Sequence, residues 1–275
     1  MNLLKDPIPD LIKKIALPAS IGTLFQTLFN VVDTFFAGTI SPEALSALAK
    51  SFPIYFIIVA ACVGVTVGGT SLIANSIGEK NITKIHGYFT HTIIYGLIVS
   101  IIITSAGLFF APHLFQLMGS EFEVIQLGLS YTNVVFAGSI VFIMLVAINS
   151  LLHADGDTKT YRNVLILSFF LNILLNPLFI FGFGPIPAFG ISGIGIATVV
   201  AQSIGLIIVL IKASKSQRIE NISLKDFKIN LKLLTNLFFQ SAPISAALLL
   251  ISVGNFIILS YIGIFGEFAL SLIHI

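Results

Sequence analysis

Long apolar runs separated by short polar segments dominate the chain. Seven of these runs are long enough to cross a bilayer's hydrocarbon core, which needs about 18 or more residues with few or no charges. They cover residues 15–38, 53–77, 88–111, 127–152, 164–183, 191–211 and 239–265. Transmembrane β-strands would be about ten residues long and would alternate in polarity. The pattern therefore predicts an all-α polytopic membrane protein with seven transmembrane helices.

Composition supports this prediction and excludes a water-soluble fold. Hydrophobic residues make up 56% of the chain and charged residues only 9%, against roughly a quarter charged in soluble domains. The polar head before the first run carries both acids and lysines, and no small-residue cleavage site follows. We interpret the first run as a retained helix and not as a signal peptide.

The basic residues predict the orientation, because Lys and Arg concentrate in cytoplasmic loops. Counted through alternate loops, thirteen of the 14 Lys and Arg residues fall in the N-terminal head and in the second, fourth and sixth loops. Only Lys50 falls on the other side, in the first loop. We expect a cytoplasmic N-terminus. The basic sixth loop also carries Glu220 and Asp226 and follows the same rule, so nucleic-acid binding is not expected.

The seventh apolar run resembles the first. A gapless shift of 225 residues superposes Pro18 on Pro243, Ser20 on Ser245, Asn30 on Asn255, Gly38 on Gly263 and residues 44–46 on 269–271. Transporters are commonly built from such repeats. We expect a six-helix bundle at 1–212, a basic cytoplasmic linker at 213–238 and the first helix of an incomplete second bundle at 239–275. The sequence is then the opening part of a longer protein.

One acidic residue, Asp33, lies well inside an apolar run. Ionisable groups within a membrane are costly and rare, so such an acid indicates a functional site. Gln26, Asn30 and Asp33 are spaced i, i+4, i+7 and form a polar stripe on one helical face. Asp33 precedes Gly38 by about 7 Å of helix rise, which places it in the outer half of the membrane.

The fifth and sixth runs carry polar residues at a similar depth. Asn172 and Asn176 are one helical turn apart, and Thr198 lies about 10 Å into the sixth run. If these helices are neighbours, Asp33, Asn30, Asn172, Asn176 and Thr198 form a carboxylate surrounded by amide and hydroxyl groups. Such a group suits a proton or a hard cation that prefers oxygen ligands. The alternative is that the amides and the hydroxyl only hydrogen-bond across helix interfaces.

Other motifs favour packing or carry no chemistry. Gly64, Gly68 and Gly69 permit close approach of another helix. Asp155-Gly156-Asp157 lacks the remaining ligands of a calcium loop, and the histidines show no metal-ligand spacing. No phosphate-binding loop is present in the sequence, so ATP hydrolysis is not expected to drive transport. We predict a protein that is not an enzyme, with no metal site and no cofactor.

The chain resembles the multidrug and toxic compound extrusion (MATE) family. The resemblance lies in motifs that occur in the expected order along nearly the whole chain: Leu17-Pro18, residues 32–38 and 44–47, Gly156-Asp157-Thr158-Lys159-Thr160, residues 176–182, and residues 193–198. It implies two six-helix bundles around a cleft, with this chain supplying the first bundle and one further helix. It also implies exchange of protons or sodium for organic, often cationic, drugs across the inner (plasma) membrane.

By this resemblance, Asp33 is the acid that binds the coupling ion, and Asn172 and Thr198 are its partners. In part of the family the position of Asn176 is Asp, so the loss of that charge favours proton over sodium coupling. Tyr131 matches a position that faces the substrate cleft, and an interfacial role suits it equally. Gln26, on the polar stripe of the first run, is also expected to line the cleft. His153 and Tyr161 depart from the family's usual Arg and Pro.

Two alternatives remain open. One is a lipid-linked oligosaccharide flippase of the same superfamily, for which a cationic cleft would be expected; none of the Lys and Arg residues is predicted deep in a span. The other is a truncated, transport-inactive bundle. The expected partners are small organic molecules, the lipid bilayer and a C-terminal bundle.

Overall fold

The computed structural model describes residues 7–118 and 121–263, which form eight α-helices and one short 3-10 helix. Lys5 and the repeat matches at 269–271 lie outside the described residues. The helices are α1 (Ile8–Ile40), α2 (Pro42–Gly78), α3 (Ile82–Leu117), α4 (Phe122–Ala137), α5 (Ser139–Ala154), α6 (Thr158–Phe181), α7 (Ile191–Ser214) and α8 (Leu231–Gly263), and the 3-10 helix is Leu224–Phe227.

Seven helical segments in the described residues are long and apolar enough to cross a membrane, with α4 and α5 counted as one segment. The prediction of an all-α membrane protein with seven spans is confirmed. Most helices are longer than the apolar runs because their polar ends continue the helix past the hydrocarbon core. The largest extension at a helix start is in α2, which begins at Pro42, eleven residues before the predicted run.

The first predicted loop is in fact almost entirely helical. Ser41 separates α1 from α2, and its side chain accepts a hydrogen bond of 3.1 Å from the Ala44 backbone N–H. Pro42 occupies the first helical position, where its missing N–H costs no helical hydrogen bond. Lys50, predicted in a loop, therefore lies within α2, and its side chain is only 4% exposed.

The fourth predicted span is interrupted at Gly138, between α4 and α5. Thr104 on α3 donates a hydrogen bond of 3.0 Å to the Phe136 carbonyl beside this break. A Cβ atom at Gly138 would meet the Val199 side chain of α7, so glycine permits close packing there. The chain thus turns slightly in mid-span without exposing an unpaired carbonyl at Phe136 to lipid.

Two apolar clusters fill the interior of the bundle. The cluster at the end that holds the start of α1 contains Ile73, Ile85, Phe89, Leu151 and Val209. The cluster at the opposite end contains Ile54, Phe115, Phe136, Ile180 and Ile194. The polar residues of α1, α6 and α7 therefore lie between close-packed ends.

Helix α1 packs mainly on α6, and α6 packs on α7. Gly22 lets α1 approach α6, since a Cβ atom there would lie 3.1 Å from Leu165 Cδ1. Further out, the rings of Phe25 and Phe169 meet edge to face, with centroids 5.4 Å apart. These contacts align the C-terminal half of α1 with the C-terminal half of α6.

Helix α8 lies antiparallel to α2 along much of its length. Ser245 Oγ donates to the Ala60 carbonyl at 2.9 Å, and Ser252 Oγ donates to the Pro53 carbonyl at 2.7 Å. A Cβ atom at Gly64 would overlap Ser245 Oγ, so the close approach expected for this glycine is present against α8. The serine hydroxyls and the glycine surface together form the α2–α8 seam.

The linker between α7 and α8 is held on the N-terminal part of α3. Thr90 Oγ1 donates to the Asp226 carbonyl at 2.9 Å. His91 Nε2 accepts a hydrogen bond of 2.9 Å from the Asn230 backbone N–H, one residue before α8 begins. Both side chains are buried, so α3 positions the start of α8.

Candidate functional site

Asp33 is the centre of a buried polar cluster between α1, α6 and α7. Its side chain is 5% exposed. Asn172 Nδ2 donates to Asp33 Oδ1 at 2.8 Å, and Asn176 Nδ2 donates to the same oxygen at 2.9 Å. Thr198 Oγ1 donates to Asp33 Oδ2 at 3.2 Å. Both oxygens of the carboxylate therefore accept hydrogen bonds from neighbouring helices.

The spacing of residues on α6 explains the two amide contacts. Asn172 and Asn176 are one turn apart, so their side chains project from the same face towards α1. Asn176 Nδ2 also donates to Asn172 Oδ1 at 3.1 Å, which uses both of its hydrogens. This arrangement holds the two amides in one orientation relative to Asp33.

One hydrogen-bond acceptor in this cluster is unpaired among the described residues. Asn176 Oδ1 is buried and has no hydrogen-bond partner among the described residues. Buried polar atoms are normally satisfied, so an unpaired one beside a carboxylate marks a place for water or a bound ion. Asp33 forms no ion pair with a basic side chain within residues 7–118 and 121–263. Among the described residues, hydrogen bonds from Asn172, Asn176 and Thr198 stabilise its negative charge.

Not all of the predicted site residues reach Asp33. The side chains of Asn30 and Gln26 are half-buried, and neither forms a hydrogen bond to Asp33, Asn172, Asn176 or Thr198. Asn30 is three residues before Asp33 and is rotated about 60° around α1, away from the amides of α6. The structure thus brings Asn172, Asn176 and Thr198 to Asp33 but leaves Asn30 outside the hydrogen-bonded cluster.

Two tyrosines lie near the cluster. Tyr131 on α4 is buried, and the charge of Asp33 acts on its hydroxyl. Tyr55 on α2, which the sequence did not single out, is within electrostatic range of both Asp33 and Tyr131. The sequence offered no signal for it, because Tyr55 lies only two residues into the predicted run 53–77, where a tyrosine is expected at the membrane interface.

The two departures from the family motif around the cytoplasmic loop meet in space. The rings of His153 at the end of α5 and Tyr161 in α6 pack edge to face, with centroids 5.7 Å apart and an interplanar angle of 88°. Between them in sequence, Asp157 begins α6 by accepting hydrogen bonds from the Thr160 backbone N–H at 3.0 Å and from its hydroxyl at 2.6 Å.

Sequence comparison places the chain among membrane transporters. Residues 18–178 match the MatE family model. The chain is 29% identical over 205 residues to a FAD transporter of Shewanella oneidensis, a match that covers 74% of this chain and 45% of the relative. It is 24% identical over 254 residues to the probable multidrug resistance protein YoeA of Bacillus subtilis, covering 91% of this chain and 55% of that protein.

The fold is also shared with solved structures. A multidrug resistance MATE family transporter of the MOP superfamily, in an outward-facing conformation, superposes with a TM-score of 0.80 and 28% sequence identity. The superposition covers 90% of this chain and 54% of that one. The chain spans about half the length of the relatives it matches.

Proposed function

Because this chain belongs to the MatE family of membrane transporters, we propose that it forms the first bundle of a secondary active exporter in the cell inner membrane. The exporter exchanges a coupling ion for small organic molecules, and a second bundle supplies the other wall of the cleft. The observation that carries the proposal is the Asp33 carboxylate, buried and hydrogen-bonded by α6 and α7. A buried charge is costly in a membrane, and it is commonly retained where an ion is carried.

The coupling ion in this proposal is a proton. The amide nitrogens of Asn172 and Asn176 and the Thr198 hydroxyl all donate towards Asp33, so the site presents few free oxygen atoms to a metal cation. Sodium would need the amide oxygens as ligands. The neutral Asn176 leaves the cluster with a single negative charge, which one proton balances.

Protonation of Asp33 changes which hydrogen bonds the cluster can form. An ionised carboxylate only accepts hydrogen bonds, whereas a protonated one donates through its new O–H. The three present donors then compete for fewer acceptor sites, and the contacts that align α1 with α6 and α7 weaken. If the inward- and outward-facing states differ in these contacts, protonation shifts the population between them.

The distribution of charged residues indicates a broad class of cargo. Basic residues among residues 7–118 and 121–263 lie at helix ends or in the linker, except Lys50 in the outer part of α2. A cleft with few cations suits cationic or neutral organic molecules. A related protein is a FAD transporter, so an anionic flavin dinucleotide is the alternative cargo and is assayed alongside cationic dyes.

The test is ion-driven export of dye into the lumen of inverted vesicles that contain the full-length protein, with Asp33→Asn compared against Asp10→Asn. Asp10 is an exposed acid in the first turn of the same helix, so its substitution controls for the loss of a charge. We expect Asp33→Asn to abolish ion-driven efflux while membrane insertion stays intact, and Asp10→Asn to behave as the native protein.

Unchanged efflux in Asp33→Asn would overturn the proposed role of Asp33. Efflux that follows an imposed sodium gradient at constant pH, and not a proton gradient, would overturn proton coupling. No efflux by the native protein of either cationic dyes or flavin dinucleotide would favour the inactive bundle. Movement of a lipid-linked oligosaccharide instead would favour the flippase.

A further inference from the structure

Two histidines near the start of α3 hold the linker that joins α7 to α8. His86 Nε2 lies 3.0 Å from the Arg218 carbonyl oxygen, near the beginning of the linker. His91 Nε2 accepts a hydrogen bond of 2.9 Å from the Asn230 backbone N–H, at the end of the linker. Both histidine side chains are buried. The linker is therefore fixed to one helix by an imidazole near each of its ends.

The hydrogen bonds of His91 require a neutral imidazole. Nδ1 lies 2.7 Å from the Gly87 carbonyl oxygen, which can only accept, so the ring hydrogen is on Nδ1. Nε2 accepts from the Asn230 N–H, so this nitrogen carries no hydrogen. A proton added at Nε2 would point at the N–H group of Asn230. Protonation of His91 therefore removes the acceptor that holds Asn230.

His86 makes the opposite kind of hydrogen bond. A carbonyl oxygen has no hydrogen to give, so His86 Nε2 donates to Arg218. A protonated imidazole keeps this donor, because both of its nitrogens carry hydrogen. Arg218 is also held by Asp155 at the end of α5, with Nε and Oδ1 3.0 Å apart. Protonation of the two histidines thus leaves the contact at Arg218 in place and removes the contact at Asn230.

The first turn of α8 depends on the contact at Asn230. The Asn230 carbonyl accepts hydrogen bonds from the backbone N–H groups of Leu233 at 3.1 Å and Leu234 at 3.2 Å. Its side-chain Oδ1 accepts from the Lys232 backbone N–H at 3.0 Å, as the side chain of a helix N-cap does. A displaced Asn230 therefore takes with it the hydrogen bonds that begin α8.

Other titratable and charged side chains flank this contact on α3, in the linker and on α8. They are His86, Tyr88, Asp226, Lys228 and Lys232. The two lysines are exposed on either side of Asn230, so solvent and salt screen their charges. At this level α2 and α5 approach α3 through the uncharged Gly69 and Ser150, which lie against Thr92.

Asp226 does not titrate in the range where histidines do. The Ser223 backbone N–H holds the pKa of the Asp226 carboxyl below 3.8, whereas histidine changes charge between about pH 5 and pH 8. The Asp226 carboxylate also attracts a positive charge on His86, which favours the donor form of that imidazole. A change at Asn230 within this range therefore points to an imidazole.

We propose that His91 is a pH-sensitive latch on the start of α8. With a neutral imidazole, Asn230 is held and the first turn of α8 is docked on α3. An N–H bond formed at Nε2 with a proton from solvent breaks the hydrogen bond to Asn230, while Arg218 stays on His86. The latch opens only the α8 end of the linker as pH falls. It does not depend on the proposed ion coupling at Asp33.

The experiment compares hydrogen exchange of the full-length protein in detergent at about pH 8 and about pH 5, corrected for intrinsic rates. We expect the protection of residues 230–234 to fall about tenfold in acid and that of residues 218–222 to stay unchanged. Constant protection at 230–234, or an equal loss at both ends of the linker, would overturn the latch.

The same substitution at each histidine identifies the group that titrates. Glutamine has a side-chain oxygen that accepts and a nitrogen that donates, and neither titrates. His91→Gln should show equal protection of residues 230–234 at both pH values. His86→Gln should keep the pH dependence of the native protein. The proposal fails if His91→Gln keeps that dependence or if His86→Gln loses it. If His91→Gln does not fold, the native protein and His86→Gln still decide.

Asp33→Asn separates this proposal from the proposed function. The latch should respond to pH in Asp33→Asn as it does in the native protein, whether or not this variant exports dye. Loss of the response at residues 230–234 in Asp33→Asn would assign the titration to Asp33 and overturn the role of His91. Unchanged dye export by Asp33→Asn would overturn the ion coupling alone.

Discussion

The Asn176 side chain joins α6 to α1 by donating a hydrogen bond of 2.9 Å to the Asp33 carboxylate, and it donates a second hydrogen bond of 3.1 Å to Asn172. One amide thus bonds to the only ionisable side chain of the cluster and to the neighbouring amide at once. An amide adds no charge, so the cluster holds a single negative charge and one unused oxygen, Asn176 Oδ1.

Asn176→Asp should convert this cluster into a sodium site. The substitution would place a second carboxylate beside Asp33, and two adjacent carboxylates repel one another unless a proton or a cation lies between them. We expect sodium-dependent efflux, measured at constant pH in inverted vesicles, where the native protein shows none. Asn75→Asp, at an exposed position near the inner end of α2, is the control. Equal sodium dependence in both variants would contradict the prediction.

Gly64→Ala should loosen the α2–α8 seam. The added Cβ would overlap Ser245 Oγ and lie 3.0 Å from the Ser241 carbonyl. Overpacking of this kind costs about 1–3 kcal/mol, and we expect a lower midpoint of thermal unfolding in detergent. Ser245→Ala in the same protein should recover part of the loss by removing the nearest atom.

Gly78→Ala is the matched control for that experiment. Gly78 ends the same helix, and a Cβ atom there would have no neighbour within 4 Å. Alanine has the higher helix propensity, so this variant should unfold at the native temperature or slightly above it. A loss of stability equal to that of Gly64→Ala would show that the seam is not the cause.

His91→Phe should release the start of α8. Phenylalanine keeps an aromatic ring in the buried position but cannot accept the hydrogen bond from the Asn230 backbone N–H. Leaving a buried donor unpaired costs about 1–3 kcal/mol. We expect faster hydrogen exchange at residues 230–234, with the rest of α8 unchanged. His113→Phe is the control variant. If residues 230–234 exchanged equally fast in His113→Phe, the lost hydrogen bond to Asn230 would not be the cause.

The linker should lose part of its order in acid. The Ser223 backbone N–H donates to Asp226 Oδ2 at 2.8 Å, and this hydrogen bond, with help from the Ser223 hydroxyl, holds the pKa of the Asp226 carboxyl below its ordinary value of 3.8. A lowered pKa means that the stabilisation is fully present above pH 3.8 and is lost as pH falls through the pKa of the folded chain.

Asp226→Asn tests that dependence directly. Above about pH 5 the variant should exchange the backbone amides at residues 223–227 faster than the native protein, after correction for intrinsic rates. Below the folded pKa the two proteins should agree. Glu220→Gln, another exposed acid of the linker, should match the native protein throughout. A difference between Asp226→Asn and the native protein that persists in strong acid would contradict the carboxylate as its source.

Local signals in the sequence were enough to predict the seven transmembrane spans. Membrane-crossing length and the absence of charge are properties of one segment, so the seven spans could be predicted without knowing how they pack. The prediction that Lys50 lies in a loop was wrong, although Ser41 and Pro42 carry the start signals of a helix. Apolar length alone had placed the second span too late, because a helix can begin before its apolar part does.

The sequence by itself determined that Asp33 is the one acid well inside a span and that Asn172 and Asn176 share a helical face, since both facts depend on position and on a period of 3.6 residues. Only the tertiary structure decided which partners meet. Asp33 is 139 residues from Asn172 and 165 from Thr198, and contacts at such separations depend on how α1, α6 and α7 pack. The same packing leaves Asn30 outside the cluster and brings His153 against Tyr161.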